Sequence, residues 1–401
     1  MKLSLSAILV LISVQSFAST GAGNGGDAVV CDDGTITLLD SYEATKLGFN
    51  IDIDKVAKAK SLRAYVGVAV KRLASRDKYL AKKLYNYSME MVNDFEAYKI
   101  FSDNTGNYKG EAIYISPDIV GEISDSEHRT LPVGCEARQL VSQLKPERLR
   151  DNRYEFNSTL WNQLSLLDQS MTILHEAWYR VMIEDGAKKS VGTRYMNALI
   201  ASSDFSSYTF SDYIKELKKT EKKNYIIENN SSLIFDRTLK LDLKTSNFVF
   251  NGEEVCIDGI TIRANIKKLA FIGAWHRGLA TVDFTDVCFT NSALRTITMP
   301  TKISNKRINF VMVRFLLRSR GLEEEAAVLT FNTNGTLKQI KGLEFEALYK
   351  MFYVCVDSSG SEFRSDIRQN NCKGPYLNHK SKVKQPKSVV FDSNEKPIGF
   401  F

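Results

Sequence analysis

The sequence predicts an α+β N-terminal domain followed by a mainly antiparallel β domain, folded as a meander, a sandwich or a barrel. Apolar residues recur at helical spacing through much of the first half. From about residue 229 onward, short segments that enter turns through Phe-Asp or Phe-Asn pairs take their place. A charged stretch with few apolar residues, 214–223, lies between the two patterns. We therefore predict an α+β module at 21–205, a charged linker or exposed helix at 206–228, and a β-rich domain at 229–401.

The module is predicted to begin with two short strands, at 28–31 and 35–38, which flank an Asp-Gly turn signal. A short helix follows at 40–47, because a glycine at position 48 can end it in the left-handed conformation. These elements are local, and each is bounded by a residue type that favours a turn or a cap.

A longer helix is predicted to start at an Asp54 N-cap, because apolar residues keep helical spacing from there to Leu73. An amphipathic helix at 77–95 and an alternating strand at 111–116 come next. The stretch 137–144 is predicted as a helix that stops before a proline.

The best-defined helix begins at Ser165, because Asp168 three residues later completes a capping-box-like start, and it runs to about Glu184. Another helix is predicted at 190–200. The second half is mainly β, and its predicted interruptions are helices at 322–327 and 343–349 and a basic linker at 380–387.

The first 20 residues have the pattern of a cleavable secretory signal. A basic start at Lys2 precedes an apolar run over 3–14, and Ser16 and Ala18 supply the small residues that signal peptidase reads. The apolar run is too short to span a bilayer. We expect a soluble mature chain that begins near Ser19, has no membrane span, and works in the periplasm or outside the cell.

The charge of the chain argues against one class of partner, nucleic acid. The formal net charge is +7, from 54 basic and 47 acidic residues that are mostly interspersed. A nucleic-acid-binding protein more often concentrates its basic residues on one face, so we predict no nucleic-acid partner. A mildly basic protein can be attracted to an anionic envelope or cell-surface component, but a plain solvated surface explains the same charge more simply.

All six cysteines follow the signal, so they can pair in an oxidising compartment. Two of them stand alone in the first half, and the other four form two close pairs in the second. No CxxC spacing indicates a metal–thiolate site. The predicted disulfides are Cys31–Cys135, Cys256–Cys288 and Cys355–Cys372.

The segment LHEAWY, in the helix that starts at Ser165, comes closest to a catalytic motif. In zinc peptidases, HExxH places two histidines on one helix face and a glutamate beside the metal-bound water. Here His175 and Glu176 are present, but Tyr179 takes the place of the second histidine. A phenol ionises near pH ~10 and is a poor ligand at neutral pH. We therefore predict no metal and no cofactor, with His175 the one candidate ligand.

Two other interpretations of this helix stay open. In the first, His175, Glu176 and Tyr179 form a structural polar cluster, with Arg194 of the following helix as the charge partner of Glu176. In the second, the same side chains line a non-metal binding cleft. The glycine-rich segment 21–27 likewise has two readings, a flexible lead into Cys31 or a backbone nest for an anion.

Several spaced motifs resemble those of a group of uncharacterised exported proteins of predatory Gram-negative bacteria. The resemblance covers about the first half of the mature chain. It implies a recurring secreted module with a Cys31–Cys135 bridge. The motifs are GNGGDxxxC, Pro132-x-x-Cys135, Trp161-x-x-Leu164-x-x-x-Asp168-Gln169 and LHEAWY, and the implied polar centre consists of His175, Glu176, Tyr179, Ser190 and Arg194.

The sequence thus predicts an exported protein that binds or interacts with a partner. The alternative is a hydrolase, with Glu176 as base and His175 as ligand or acid. The two are separated by whether His175, Glu176 and a third polar group converge in an open pocket.

Overall fold

A computed structural model describes most of the first 265 residues and parts of the remainder. The predicted signal, residues 322–326, 343–349 and 380–387, and Cys372 with the third predicted disulfide lie outside the described residues. The described ranges are 23–24, 26–101, 107–117, 130–144, 152–228, 238–265, 279–291, 293–299, 327–332, 337–341, 355–356, 362–363, 388–393 and 397–400.

The fold is mixed α+β, with helices packed beside several largely antiparallel sheets. Most of the helices precede the long strands in the chain. The helices are α1 (Leu39–Leu47), α2 (Ile53–Val56), α3 (Leu62–Ala74), α4 (Lys78–Phe101), α5 (Ser158–Trp161), α6 (Leu166–Glu184), α7 (Val191–Ala201) and α8 (Phe210–Lys219).

Two small sheets belong to the N-terminal module. One has the order β1-β7-β8-β5-β4, and the other has the order β3-β2-β6. All of their pairs are antiparallel except the parallel pair β5–β8. The strands are β1 (Gly23–Asn24), β2 (Asp27–Cys31), β3 (Ile36–Leu38), β4 (Tyr108–Lys109), β5 (Ile113–Ser116), β6 (Cys135–Gln139), β7 (Val141–Gln143) and β8 (Tyr154–Asn157).

A larger sheet follows, whose main path is β11-β12-β13-β14-β15-β16-β19-β20, with the β9–β10 hairpin joined to β14. A separate hairpin pairs β17 with β18. The strands are β9 (Asn224–Glu228), β10 (Thr238–Asp242), β11 (Asn247–Asn251), β12 (Glu254–Asn265), β13 (Leu279–Thr290), β14 (Ala293–Met299), β15 (Ala327–Phe331), β16 (Leu337–Lys341), β17 (Cys355–Val356), β18 (Glu362–Phe363), β19 (Ser388–Phe391) and β20 (Pro397–Phe400).

Helix α6 is the centre of the module. It starts as predicted, because the Ser165 side chain accepts a hydrogen bond from the Asp168 N–H, and it ends at Glu184. Its neighbours α3, α4 and α7 pack around it, and Trp178 is fully buried. The predicted helices at 40–47 and 190–200 are confirmed as α1 and α7.

Two predictions for the module are wrong. The stretch 137–144 forms β6 and β7 instead of a helix, because β6 pairs with β2 while β7 pairs with β8. In a stretch this short, the apolar residues fit helical spacing and strand alternation equally well. Pairing with neighbouring strands therefore determines which structure forms.

Asp54 does not start the long helix. The chain forms the short α2 and then breaks, and α3 begins after Ser61, whose side chain accepts a hydrogen bond from the Ala64 N–H. Serine is as good an N-cap as aspartate, so the later cap sets the start of the longer helix.

The segment 206–228, predicted as a charged linker or exposed helix, forms α8 and β9. The charged side chains of α8 are exposed or partly exposed, while Phe210, Tyr213, Ile214 and Leu217 are buried. The hydrophobic core therefore continues from the module through α8 and β9 to residues of β12 and β13.

Two of the predicted disulfides are confirmed. Cys31 and Cys135 face each other across β2 and β6, and Cys256 and Cys288 face each other across β12 and β13. Within the described residues, no helix has both the length and the apolar character to cross a bilayer.

Candidate functional site

Helix α6 carries His175 and Glu176 into the interior of the module. Neither side chain has measurable solvent exposure. Consecutive residues of a helix point about 100° apart, so these two side chains face different neighbours. Together with the ionisable side chains of α1 and α7 around them they form what we call the His175 cluster, which consists of Asp40, Glu43, His175, Glu176 and Arg194.

His175 is held by Asp40 of α1. The imidazole Nδ1 lies 2.9 Å from Oδ2 and 3.1 Å from Oδ1 of that carboxylate. The side-chain amide of Asn197, on α7, donates to Asp40 Oδ2 at 2.7 Å and to the main-chain oxygen of Met171 at 2.9 Å. Asp40 therefore joins α1, α6 and α7.

Glu176 holds the chain segment that precedes β2. The Gly26 N–H donates to Oε1 at 2.6 Å, and the Gln143 Nε2 amide donates to Oε2 at 3.0 Å. Gly26 in turn accepts hydrogen bonds from the N–H groups of Leu140 and Val141. The glycine-rich segment thus donates an amide to a carboxylate of its own chain.

The partner predicted for Glu176 binds elsewhere. Arg194 Nε donates to Glu43 Oε2 at 2.9 Å, and its Nη1 donates to the Ser190 hydroxyl at 2.8 Å. Helix α7 packs against α1, which carries Glu43 one turn after Asp40. Helix α1 therefore supplies the acidic partners of both His175 and Arg194, and this packing overrides the predicted Glu176–Arg194 pair.

Tyr179 lies one turn after His175 on α6 and is buried. The centroids of the two rings are 6.2 Å apart. The structure thus brings Tyr179 beside His175, whereas Glu176 faces Gly26 and Gln143 on another side of the helix.

Burial and charge act in opposite directions on the two titratable groups of α6. Burial lowers the pKa of His175, but the charge and hydrogen bond of Asp40, together with the charge of Glu176, outweigh burial and leave this pKa raised. Burial raises the pKa of Glu176, against the lowering effects of His175, the Gly26 N–H and the Gln143 amide. Because both pKa values are raised, the folded state binds a proton at His175 and at Glu176 more tightly than the unfolded chain does.

We expect the protein to become less stable as the pH rises above neutrality. A raised folded-state pKa for His175 gives stabilisation that is complete below the ordinary value of 6.5 and is lost as the pH passes the folded-state pKa. The raised pKa of Glu176 acts in the same sense. The check is urea unfolding from about pH 6 to about pH 9. Asp40→Asn should flatten the dependence, and an equal slope in this variant would contradict the assignment to His175.

Five buried polar atoms on the α6–α7 pair have no hydrogen-bond partner among the described residues. Nε2 of His175 is the most informative, since metal-binding histidines commonly have their other ring nitrogen held by a carboxylate, as Asp40 holds Nδ1 here. The five atoms are His175 Nε2, Trp178 Nε1, Arg180 Nε, Thr193 Oγ1 and Asn197 Oδ1.

The described residues contain no set of three close metal-ligand atoms at His175. The group that has such atoms consists of Glu254, Cys256 and Cys288, and its two sulfurs are joined in a disulfide. At His175, the carboxylate of Asp40 binds Nδ1 and not Nε2.

Sequence reasoning missed five contributors to this site: Gly26, Asp40, Glu43, Gln143 and Asn197. A signal existed for Asp40, because two leucines precede it directly in a helix with a buried face. Gln143 had none, because its role depends on β7, which was predicted as helix.

Comparisons with protein-family models, curated proteins and solved structures find no match to this chain.

Proposed function

We propose that this chain is an exported binding protein, that its His175 cluster is structural, and that its partner is a component of an envelope or cell surface. The observation that carries the proposal is the direction of Glu176. Both of its carboxylate oxygens accept hydrogen bonds from inside the module, and the side chain is fully buried.

A general base has to reach the water or substrate from which it takes a proton. In the zinc-peptidase arrangement, the glutamate and the metal-bound histidine converge on one water. Here His175 faces Asp40 and Glu176 faces Gly26, so the two side chains fasten separate parts of the chain to α6. This geometry supports a structural role.

Export is part of the same proposal. It is supported by the signal pattern at 1–20 and by the two disulfides. The mildly basic composition suits an anionic partner. We also infer that residues 229–401 form a β-rich domain.

The hydrolase remains a second candidate because of Nε2 of His175. A buried imidazole oriented by Asp40, with no described partner on Nε2, has the form of a metal ligand or a proton-transfer group. Binding of a metal there would need neutral His175, against the direction of its pKa.

Metal analysis distinguishes the two candidates. If the cluster is structural, protein purified without added metal contains no stoichiometric zinc, and a chelator leaves its melting temperature unchanged. A bound metal would stabilise the folded state and make that temperature chelator-sensitive. The measurements are elemental analysis and thermal unfolding with and without chelator. Stoichiometric zinc that is lost in His175→Ala would overturn the proposal.

A further inference from the structure

Strand β11 forms one end of the main path of the large sheet. It pairs with β12 through a two-residue turn at Gly252 and Glu253, and no described strand pairs with its other side. Gly252 has a φ of 57°, which suits the first central position of a type II′ hairpin turn. The hairpin is therefore regular, and its outer edge is open within the described residues.

The register of this hairpin identifies the main-chain groups on that outer edge. The residues that flank a two-residue turn, Asn251 and Glu254, form a hydrogen-bonded pair. Alternation along the strand then directs the N–H and C=O groups of Phe248 and Phe250 away from β12. Neither residue has a main-chain hydrogen bond outside the β11–β12 pairing among the described residues.

Edge strands are usually protected by proline, lysine, a bulge or a covering element. The sequence of β11, NFVFN, contains neither proline nor lysine. Its register with β12 shows no shift, so no bulge interrupts it. The strand also exposes Val249 on one face, at 57% of its full exposure. An unprotected regular edge is suited to accept another strand.

Lysines surround the opposite face of the strand. The ammonium of Lys218 lies 4.3 Å from the centroid of the Phe248 ring, and that of Lys215 lies 5.3 Å from the Phe250 ring. Burial, together with the charge of Lys244, lowers the pKa of Lys218. No carboxylate pairs with Lys218 among the described residues, whereas Lys215 pairs with Asp212. This face therefore carries excess positive charge beside the open edge.

We propose that β11 binds an extended acidic segment of a partner protein, which adds antiparallel to the sheet as a further strand. This inference rests on the proposed binding function and names the chemistry of the partner. In an antiparallel pair, residues that exchange hydrogen bonds have their side chains on the same face. Partner residues bonded to Phe248 and Phe250 therefore face Lys215 and Lys218 and are acidic. The alternate residues lie beside Val249 and are apolar.

A labelled synthetic peptide of alternating Glu and Val tests the proposal by fluorescence anisotropy with the full chain. We expect saturable binding. Methylating the main-chain nitrogens of the Glu residues should weaken binding about 10- to 100-fold, because these nitrogens bond to β11. Methylating the Val nitrogens should have little effect. Equal effects of the two methylations, or no binding of the unmodified peptide, would overturn the proposal.

Charge variants test the same surface independently. Lys215→Gln with Lys218→Gln should weaken binding of the peptide about three- to tenfold. The matched control is Lys46→Gln, because Lys46 also lies over an aromatic ring, that of Tyr42 on α1. Circular dichroism checks that the variants fold. An effect of the control equal to that of the double variant would contradict the proposed surface.

Self-association is the competing outcome. A dimer that forms through β11 in sedimentation experiments and excludes the peptide would replace the acidic partner with a second copy of this chain. Failure of the peptide to bind would contradict the proposed β11 surface but not the proposed structural role of the His175 cluster. Zinc at His175, by contrast, would overturn the proposed function whatever the peptide does.

Discussion

Replacing Glu176 with alanine is expected to lower the free energy of unfolding by about 2–6 kcal/mol. The substitution removes the acceptor of two buried N–H groups, the Gly26 N–H and one N–H of the Gln143 amide. Each N–H left without a partner costs about 1–3 kcal/mol. The segment at Gly26 would then lose its bond to the side chain at position 176, while the Gln143 amide on β7 keeps its other bond, to the main-chain oxygen of that residue. Urea unfolding followed by circular dichroism measures the change.

Glu96→Ala is the matched control. Glu96 is also a glutamate on a helix, and it pairs with Arg63, but its side chain is 51% exposed. Exposed pairs contribute about 0–1 kcal/mol, so this variant should unfold almost like the wild type. If Glu176 were a catalytic base, its replacement would leave stability nearly intact. Equal stabilities of the two variants would therefore contradict the structural role of Glu176.

The buried positions of His175 and Glu176 show what the apolar pattern of a helix can predict and what it cannot. The apolar arc of α6 correctly predicted one buried face, with Trp178 on it. For the polar half of the helix, the pattern left two interpretations, a structural polar cluster with Arg194 as partner or a binding cleft. In the structure α1 and α7 cover that half, and the acids of α1 supply partners to His175 and Arg194. No local pattern in α6 reveals a covering element more than 100 residues away, so the sequence predicted His175, Glu176 and Arg194 but neither Asp40 nor Glu43, the acids that pair with His175 and Arg194.

Helix α8 shows a different limit. Its lysines predicted an exposed helix or a linker at 214–223, yet Phe210, Tyr213, Ile214 and Leu217 have the i, i+3, i+4, i+7 spacing of a buried stripe. Phe210 and Tyr213 precede the stretch, so a window that starts at residue 214 contains only half of the buried stripe. The Thr209 capping box, completed by Asp212, was the available signal for where this helix begins.

The disulfides were predicted from spacing because pairing depends mainly on which cysteines the fold brings together, and sequence neighbours in a hairpin meet readily. Cys256 and Cys288 lie on consecutive strands, β12 and β13. Cys31 and Cys135 lie on the paired strands β2 and β6. Between them in sequence come β3, α1, three further helices and two strands of the other small sheet. The longer bridge therefore closes a loop that contains much of the module.

Removing Cys31–Cys135 is expected to destabilise the protein more than removing Cys256–Cys288. Both bridges join directly opposed strand residues with a Cα–Cα distance of 4.0 Å, so their local geometries match and each serves as the control for the other. Their sequence separations are 104 and 32 residues. Each bridge restricts the unfolded chain, so replacing both of its cysteines with alanine should lower the free energy of unfolding. The expected losses are about 4.7 kcal/mol for Cys31–Cys135 and about 3.7 kcal/mol for Cys256–Cys288.

The measurement is urea unfolding of the two double-alanine variants under identical oxidising conditions. The difference of about 1 kcal/mol arises from the unfolded state, because loop-closure entropy grows with the logarithm of loop length. The slope of unfolding free energy against urea should rise in both variants, since a chain without the bridge exposes more surface when it unfolds. A larger loss for Cys256–Cys288 would mean that packing around that bridge, and not loop length, sets its contribution.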